Sequence, residues 1–382
     1  MRGVPDMSEV GELLQEGQAR FVVPEKLFFN PRARLARDFG VLGLRAEANL
    51  QERRLSVIDL MAGVGTRGIR YALEAPVERL VLNDANPDAA EAIQRNLERN
   101  TLPPEVQVEV TCEQAHRLCY TLRLRNEGFD WVDLDAFGSP SVFWHAASLV
   151  VRWGGVLYFT ATDMAALCGK LRDPAVRHYG AVTRPWECSD EVGARVLFGA
   201  LQQSAGERGL YYEPLFVLDE GYAMRIAVRL RYGSSGFPVQ RIGWLVQCMG
   251  CYSQTTLPLH VTVGRCRVCE SENVQWAGPL WTGSLYDMDF LHLMSVEARK
   301  MGHAAALRLL RLMLDEADSP AGYYAAPELG KRAHLKRLPP VDALIRQLRQ
   351  EGYFASRTHF ETAGFKTNAP YPVAQRLAEQ LQ

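Results

Sequence analysis

Short apolar runs alternate with amphipathic stretches between residues 55 and 232 of the chain. The apolar runs are rich in β-branched residues and predict strands at 55–60, 79–84, 106–110, 129–135 and 154–162. The stretches between them carry apolar residues at helical spacing and predict helices at 67–75, 87–100, 114–125 and 140–152. Alternating strands and helices predict βαβ units and a parallel, doubly wound sheet.

The pattern changes at the end of this region. A helix is predicted near 190–205, and two strand-like runs follow at 211–220 and 221–233, with a turn between them. An antiparallel pair at the edge of a parallel sheet is the arrangement expected of a class I, Rossmann-like methyltransferase fold. We therefore predict an α/β methyltransferase domain over residues 55–232, with residues 1–54 as an N-terminal segment packed on it.

A Gly/Ser/Pro linker at 233–238 separates this domain from the rest of the chain. The sequence beyond it contains a cysteine-bearing segment up to about residue 276, helical sequence at 286–316, a proline-started helix at 339–352 and an extended basic segment at 353–370. These features predict a smaller C-terminal α+β domain over residues 239–382.

Composition and charge narrow the class of protein. The chain has 382 residues, more than one hydrophobic core comfortably holds, and its 47% hydrophobic and 23% charged residues are typical of globular proteins. No apolar run reaches the roughly 18 residues of a membrane span, and the first ten residues lack the apolar core of a signal peptide, so we expect a cytoplasmic protein without membrane association. The net charge of −1 hides two basic stretches, with eight Lys/Arg against four Asp/Glu at 20–54 and eight against three at 331–366. They indicate either contact with a polyanion or two solvated basic faces.

Gly63, Gly65 and Gly68 form a G-x-G-x-x-G pattern directly after the first predicted strand. This pattern occurs in dinucleotide enzymes, in methyltransferases and in tight structural turns. Asp59, four residues before Gly63, favours the cationic cofactor S-adenosylmethionine, because a carboxylate would repel a pyrophosphate. Asp84, 19 residues after Gly65, is placed to accept hydrogen bonds from ribose hydroxyls. The alternatives are a nicotinamide enzyme, or two carboxylates that only cap their turns.

Two further strand ends carry candidate site residues. Gln114 and Ala115 follow the third strand, where a polar side chain and a backbone amide would contact the adenine. Asp135 and Phe137 follow the fourth strand, over the crevice in which doubly wound sheets bind their ligands. A carboxylate can orient an exocyclic amine and take up its proton, and a ring can stack on the base. Asp133 is expected to support the turn and not to act as a catalyst.

Two sequences typical of other nucleobase methyltransferases do not occur in the chain. It has no D-P-P-[YF] or N-P-P-[YF] motif, and no Pro-Cys dipeptide that would supply a cysteine nucleophile. The cysteines of the first half are expected to be small buried residues; they are Cys112, Cys119, Cys168 and Cys188.

Two C-x-x-C knuckles, Cys248-Met-Gly-Cys251 and Cys266-Arg-Val-Cys269, are separated by 14 residues. Four thiolates at this spacing predict a zinc ribbon, which we place at 243–277. Because four protein ligands leave no open coordination position, the metal is expected to be structural. An iron–sulfur cluster is the alternative.

Seven motifs stand out along the chain: FFNPRARLARD, DLMAGVGTRGIR, VLNDANPDA, DLDAFGSP, FTATDMAALCG, RHYGAV and SRTHFETAGFKTNAP. They closely resemble those of the tRNA (guanine-26, N2)-dimethyltransferase family, from about residue 21 to residue 370. The resemblance implies transfer of one or two methyl groups from S-adenosylmethionine to N2 of guanosine 26 in tRNA, with the adjacent guanosine as a further candidate.

The resemblance also implies roles for individual residues. Arg37 and Arg67 would contact the cofactor, Asp84 the ribose, and Gln114 and Ala115 the adenine. Asp135 would be the catalytic carboxylate, with Phe137 as the aromatic residue beside it. The chain departs from the family at Ala136, where Pro is usual, and at Gln114, where Asp is common.

The C-terminal tail interleaves cations with the aromatic residues Tyr353, Phe354, Phe360 and Phe365, which suits phosphate contact and base stacking. The expected RNA contacts in the tail are Lys336, Arg337, Arg357, His359 and Lys366, and Arg32 and Arg34 are further candidates near the N-terminus. For each cation the alternative is the solvated face of an ordinary helix. No obligate protein partner is expected beside tRNA.

Two other functions stay open from the sequence. One is a methyltransferase that acts on another RNA base, and the other is a non-catalytic tRNA-binding protein. The carboxylates Asp59, Asp84 and Asp135 disfavour the binding protein, which has no need of them.

Overall fold

The computed structural model describes residues 11–233, 236–262 and 264–381. Parts of three predicted regions lie outside the described residues: residues 1–10 of the N-terminal segment, Ser234 and Ser235 of the linker, and Val263 and Gln382 of the C-terminal domain. None of the described helices is long and apolar enough to cross a membrane.

The described chain begins with an antiparallel hairpin of β1 (Leu13–Glu16) and β2 (Ala19–Val22). A 3-10 turn then leads into helix α1 (Arg34–Gln51), which the hydrophobic pattern did not predict. Charged residues inside this helix, Arg37, Asp38 and Glu47, are buried and interrupt its apolar periodicity. The helix could therefore not be recognised from hydrophobic periodicity.

The main sheet has seven strands: β3 (Leu55–Asp59), β4 (Val77–Asn83), β5 (Gln107–Thr111), β6 (Phe129–Leu134), β7 (Val151–Ala161), β8 (Leu210–Asp219) and β9 (Met224–Tyr232). Their order in the sheet is β5-β4-β3-β6-β7-β9-β8. The pairs from β5 to β7 are all parallel, which confirms the doubly wound sheet. Every residue of β3 and β6 is buried, as expected for strands covered on both faces. The antiparallel orientation of β8 and β9 stays a prediction.

Four helices connect the parallel strands close to their predicted positions: α2 (Thr66–Glu74), α3 (Pro87–Glu98), α4 (Ala115–Leu124) and α5 (Ser141–Val150). The third glycine of the loop motif explains how closely α2 packs on the sheet. A Cβ atom on Gly68 would lie only 2.0 Å from Cδ2 of Leu82 in β4, so a larger residue there would require Leu82 or the helix to shift.

The elements after β7 include three helices, α6 (Met164–Leu167), α7 (Arg172–Tyr179) and α8 (Ser189–Gly206). A small antiparallel sheet follows, of β10 (Ile242–Cys248), β11 (Gln254–Pro258) and β12 (Val274–Trp281), in the order β11-β10-β12. The predicted helical sequence at 286–316 forms two helices, α9 (Met288–Lys300) and α10 (Ala304–Glu316). Gly302 breaks it, because its φ of 72° lies in the left-handed region.

The C-terminal elements surround an apolar core of their own. They are β13 (Tyr324–Ala325), α11 (Ala326–Arg332), α12 (Val341–Gln350), β14 (Ala355–Arg357), β15 (Gly364–Thr367) and α13 (Tyr371–Gln380). The strands have the order β13-β15-β14, and residues such as Leu348, Phe365 and Leu377 fill the core beside them. The predicted extended segment at 353–370 therefore contains two short strands.

The chain forms two compact units whose limits differ from the predicted domain boundaries. Unit 1 runs to Thr160 and adds Ala227–Leu230 and His292–Ala306; unit 2 comprises Ala161–Ile226, Arg231–Leu291 and the chain from Leu307 onward. Residues 161–226 were expected in the methyltransferase domain, but α8 packs on β12 through an edge-to-face contact between Phe198 and Trp281.

Candidate active site

The ends of three neighbouring strands in unit 1 are joined by one buried side chain, Asn83, the last residue of β4. Its Nδ2 donates to the carbonyl oxygens of Leu60, 3.0 Å away, and Glu113, 2.9 Å away. Its Oδ1 accepts from the hydroxyl of Thr111 and the amide of Glu113, at 2.8 and 3.1 Å. The loops after β3, β4 and β5 are thus fixed relative to one another.

Asp84 lies beside the glycine loop. Its Oδ2 accepts a hydrogen bond from the amide of Gly63 at 2.9 Å, and its Oδ1 accepts one from the amide of Asn86 at 2.9 Å. Asp84 therefore caps both turns. Gly63 and Gly65 have φ values of 57° and 82°, a conformation that glycine adopts at little cost. The ribose contact of Asp84 stays a prediction.

A cluster of charged and polar side chains lies at the junction of β3, α2 and β6, and we call it the Arg67 cluster. Its members are Asp59, Arg67, Tyr71, Asp133 and Asp135. Arg67 donates from Nη2 to Oδ2 of Asp135 at 2.6 Å and from Nη1 to Oδ2 of Asp133 at 3.3 Å. The hydroxyl of Tyr71 donates to the same Asp133 oxygen at 2.5 Å.

Burial perturbs the ionisation of this cluster. Desolvation raises the pKa of Asp59 well above its ordinary value, and the neighbouring Asp133 carboxylate adds to the effect. The pKa of Tyr71 is also raised, first by burial and then by Asp133, so its hydroxyl stays a donor. Burial opposes the charge on Arg67, but Asp133 and Asp135 outweigh it and raise the pKa of the guanidinium well above its ordinary value.

Asp135 is the member of the cluster that reaches the surface of unit 1. Its side chain is 34% exposed, whereas that of Asp133 is 0% exposed. Phe137, two residues further on, is 75% exposed and meets the ring of Phe28 edge to face at 5.3 Å. Two large exposed aromatic side chains beside a carboxylate offer a surface on which a flat base can stack.

Arg37 lies in a different ion-pair cluster of unit 1. It donates to both carboxylate oxygens of Glu16, at 2.7 and 2.5 Å, and to the carbonyl oxygen of Asn30, and it lies over the ring of Phe29. Arg70 also pairs with Glu16. Burial opposes ionisation of Glu16, but Arg37 and Arg70 lower its pKa. The cofactor contact expected of Arg37 stays a prediction.

Gln114 and Ala115 lie where the third parallel strand gives way to α4. Gln114 is exposed and immediately precedes the helix, and Ala115 is its first, buried residue. The amide of Glu113, one residue before them, is held by Asn83. Their expected position at the strand end is therefore observed, while the adenine contact stays a prediction.

The four cysteines of the knuckles converge in unit 2. Their sulfur atoms all lie within 4.8 Å of one another, and the closest pairs, Cys248 with Cys269 and Cys251 with Cys266, are 3.6 Å apart. Tetrahedral zinc with Zn–S bonds of about 2.3 Å would separate its sulfurs by about 3.8 Å. Burial opposes the Cys248 thiolate, but the backbone amides of Cys251 and Gly250 lower its pKa to about 7. The donor set and its spacing fit zinc.

The other four cysteines mostly match their prediction. Cys119, Cys168 and Cys188 are buried, and burial raises the pKa of each thiol. Cys112 is exposed, so the prediction was wrong for it.

The cations expected to contact RNA fall into three groups: four are exposed, one is half-buried and two have buried side chains. Arg32, Arg34, Lys336 and Arg337 are exposed. Arg357 is half-buried and is held by Asp342 at 2.7 Å and by the carbonyl oxygen of Thr362 at 2.9 Å.

The structure does not support RNA contact by Lys366 and His359. The side chains of Lys366 and His359 are 1% and 0% exposed, so a phosphate cannot reach them. Two of the predicted stacking residues, Phe360 and Phe365, are also buried. All four residues of β15, which include Phe365 and Lys366, are buried, and His359 and Phe360 lie in the segment between β14 and β15.

Lys366 and His359 belong to a second buried charge cluster, which we call the Glu316 cluster and which lies in unit 2. Its members are Glu191, Arg195, Glu316, His359 and Lys366. Lys366 donates to Glu191 at 2.7 Å, and Nδ1 of His359 lies 2.6 Å from Oε1 of Glu316. Arg195 also pairs with Glu191, at 2.8 Å.

Sequence reasoning missed two residues of the site, Asn83 and Tyr71, and gave Asp133 only a supporting role. Asn83 precedes Asp84 at a strand end and was passed over. Tyr71 lies four residues after Arg67 and therefore on the same face of the helix, and Asp133 shares a strand face with Asp135. Those spacings could have grouped the Arg67 cluster, but only the fold brings the helix to the strand.

The class of protein follows from the carboxyl edge of the sheet. Asp59 occupies the position where a phosphate-bearing cofactor would be repelled, in a doubly wound sheet with a glycine loop. This is the arrangement of a Rossmann-like methyltransferase that uses S-adenosylmethionine.

A family model described as N2,N2-dimethylguanosine tRNA methyltransferase matches residues 9–378, and the chain belongs to that family. A tRNA (guanine(26)-N(2))-dimethyltransferase of Methanobrevibacter smithii is 31% identical over 96% of this chain and 97% of its own. A tRNA (guanine(26)-N(2)/guanine(27)-N(2))-dimethyltransferase of Aquifex aeolicus is 30% identical over 97% and 96%.

A solved structure agrees with these relatives. Trm1 from Pyrococcus horikoshii, in complex with S-adenosyl-L-methionine, has a TM-score of 0.85 and 30% identity, covering 96% of this chain and 99% of that one. The resemblance inferred from the seven motifs is therefore confirmed.

Proposed function

We propose that this chain transfers one or two methyl groups from S-adenosylmethionine to N2 of guanosine 26 in tRNA. One observation carries the proposal: Asp135 directly follows the buried strand β6, is held by Arg67 from the helix after the glycine loop, and lies two residues before the exposed ring of Phe137. A proton acceptor and a stacking surface thus lie next to the loop expected to bind the methyl donor.

The proposed chemistry needs little from the protein beyond position and a proton acceptor. The guanine stacks on Phe137, and the carboxylate of Asp135 accepts a hydrogen bond from the exocyclic N2 amine. A methyl group passes from the sulfonium to N2, the C–S bond breaks, and the sulfur keeps the electron pair as a neutral thioether. The N2 proton passes to Asp135 and then to solvent. A second turnover repeats the step on the secondary amine.

We propose that the cofactor is bound by the strand ends of unit 1 and by two arginines. The residues assigned to it are Arg37, Asp59, Gly63, Gly65, Arg67, Asp84, Gln114 and Ala115. Asp59 would face the positive end of the cofactor, and Asp84 its ribose. The preformed loops support this assignment, because Asn83 already holds them together.

We propose that Arg32, Arg34, Lys336, Arg337 and Arg357 contact the tRNA backbone, and that residues 239–382 act as the RNA-binding domain. The exposure of the first four cations supports this assignment. We further propose that the enzyme works in the cytoplasm, where its tRNA substrate is found, and that it acts without an obligate protein partner.

We propose that Cys248, Cys251, Cys266 and Cys269 hold a structural zinc ion. Metal analysis should find one zinc per chain, and a chelator should lower the melting temperature. Iron with visible absorption would assign a cluster instead, and a metal-free protein with unchanged melting would refute both.

Nucleoside mass spectrometry tests the proposed reaction. Unmodified tRNA transcript is incubated with the protein and S-adenosylmethionine, beside transcripts in which guanosine 26, guanosine 27 or both are replaced by adenosine. N2,N2-dimethylguanosine that disappears with guanosine 26 supports the proposal. Loss only with guanosine 27 moves the target. Product that is left by each single substitution but lost when both guanosines are replaced indicates a two-site enzyme, and product left by the double substitution assigns another position. No methylated base with any transcript contradicts the proposal.

The transcript with guanosine 27 replaced is included because of the Aquifex aeolicus relative. Its name includes both positions, and it is as similar to this chain as relatives named for position 26 alone. The single and double substitutions together therefore separate a one-site enzyme from a two-site enzyme.

A further inference from the structure

The Arg67 cluster contains two residues that the proposed reaction has not used, Asp133 and Tyr71. Asp133 has no exposed side-chain surface, and Tyr71 is fully buried, so neither can touch a tRNA base. Isolated buried charges are costly, and a buried carboxylate is therefore kept only where it has a partner or a role. Here its partner is Arg67, the same side chain that holds Asp135.

We propose that Asp133 and Tyr71 are positioning residues, which fix Arg67 and through it the carboxylate of Asp135. This inference rests on the proposed function, since it concerns the same reaction.

The geometry carries the argument in two steps. The hydroxyl of Tyr71 and Nη1 of Arg67 both donate to Oδ2 of Asp133, at 2.5 and 3.3 Å, so the position of that oxygen determines where Nη1 lies. A guanidinium is planar and rigid, so fixing Nη1 also fixes Nη2. Nη2 is the atom that donates to Oδ2 of Asp135 at 2.6 Å.

The origins of these residues explain why such a link is useful. Arg67 and Tyr71 lie one turn apart on α2, which begins directly after the glycine loop. Asp133 and Asp135 lie on and just after β6. The cluster therefore couples the loop expected to hold the methyl donor to the residue expected to receive the proton. A misplacement of about 1 Å at such a residue can lower a rate by about 100-fold.

The charged groups near Asp135 predict a measurable change in the pH dependence of the reaction. Asp59 from β3 and Arg67 from α2 interact with Asp135, and Asp133 from β6, Tyr71 from α2 and Tyr158 from β7 continue the same network of titratable groups. Replacing Asp133 by asparagine removes one neighbouring negative charge, so Asp135 should lose its proton at lower pH. A role of Asp133 in stability alone, without coupling to Asp135, would leave the pH dependence of the reaction unchanged.

The experiment measures single-turnover methyl transfer, with saturating S-adenosylmethionine and tRNA, across pH. For Asp133→Asn we expect a rate about 10- to 100-fold below wild type, an acidic limb displaced to lower pH, and S-adenosylmethionine binding within a few-fold. Tyr71→Phe should lower the rate less, because it removes one hydrogen bond and leaves the charge in place.

Asp130→Asn is the matched control, since Asp130 is a buried, ion-paired residue near the opposite end of the same strand. It should lower the melting temperature and leave the rate and its pH dependence unchanged. Folded Asp133→Asn with a wild-type rate and pH profile would overturn the inference. If that variant does not fold, Tyr71→Phe at the wild-type rate overturns it. Wild-type protein without product contradicts the proposed function instead, so the two failures are distinguishable.

Discussion

Each unit of the molecule buries a group of charged side chains, but the two groups are built differently. In the Arg67 cluster, three carboxylates surround one guanidinium, and Asp135 remains 34% exposed. In the Glu316 cluster, two carboxylates face Arg195, Lys366 and His359, and every member is buried. The first cluster has an excess of negative charge and an opening, and the second has neither.

This difference distinguishes the Arg67 cluster, the proposed active site, from the Glu316 cluster, which we interpret as a structural support. A cluster with unbalanced charge is unfavourable without a ligand, and a cationic cofactor would compensate it. The Glu316 cluster needs no ligand, because its carboxylates are already paired. Charge burial alone therefore does not mark an active site; charge balance and exposure decide.

The largest expected effect tests the open cluster. Replacing Asp135 by asparagine keeps the shape of the side chain but removes the proton acceptor, so kcat should fall by about 10²- to 10⁴-fold. Melting temperature and tRNA affinity should stay near wild type. Rapid-quench kinetics would measure the rate, and calorimetry would measure melting and tRNA binding. Asp88→Asn, an exposed carboxylate in the first turn of α3, is the control. Full activity in the Asp135 variant would move the catalytic role elsewhere.

The next effect tests the closed cluster. Lys366→Met leaves Glu191 with one cationic partner fewer in a buried site, and we expect about 3–5 kcal/mol less free energy of unfolding in urea titration. Lys336→Met, at an exposed position, should change stability by less than about 0.5 kcal/mol. Normal stability with weakened tRNA binding in the Lys366 variant would restore that residue to the RNA interface.

The third prediction concerns acid. Burial disfavours the Glu316 carboxylate, but His359 and Lys366 outweigh it and lower its pKa from 4.5 to about 2. The resulting stability is fully present above pH 4.5 and is lost as the pH falls towards 2, a loss of roughly 3 kcal/mol. Glu316→Gln should flatten this part of the stability profile, whereas Glu379→Gln, at an exposed position, should not. Parallel profiles of stability against pH for wild type, Glu316→Gln and Glu379→Gln would contradict a stabilising role for the ion pairs of Glu316.

The smallest effect concerns exposed cations that belong to neither cluster. Replacing Lys336 or Arg337 by alanine should weaken tRNA binding several-fold without changing the melting temperature. Each substitution should also reduce the salt dependence of binding by about one phosphate contact. Filter binding across a salt series measures both, with Arg123→Ala as an exposed control. An unchanged salt slope would place these residues outside the interface.

Hydrophobic periodicity was enough to predict the main sheet. The five parallel strands and the helices between them appear within a few residues of their predicted positions, because buried strands and amphipathic helices leave distinct local patterns. Helix α1 was missed because its buried charges interrupt that pattern. The limits of the two units could not be predicted, since they depend on contacts between distant segments, such as Phe198 with Trp281.

The candidate site likewise contains residues that local sequence predicts and residues whose surroundings depend on distant contacts. The strand-end carboxylates Asp59, Asp84 and Asp135 and the four cysteines could be identified from spacing, since spacing fixes where a strand or a knuckle presents a side chain. The exposure of Lys366 could not, because its surroundings come from Glu191 in α8 and Glu316 in α10, 50 or more residues earlier in the chain. The partnership of Asp133 with Arg67 likewise joins residues 66 positions apart.

The side chain of Asn83 couples the loops after β3, β4 and β5, to which we assign the cofactor site. A substitution that shifts the loop after β3 must also shift the turn after β5, because the same amide group binds both. Substitutions made in one loop at a time, to admit an enlarged methyl-donor analogue, would therefore also disturb the other loops. A library that varies Asn83 together with residues of the loops after β3 and β5 is the more practical starting point.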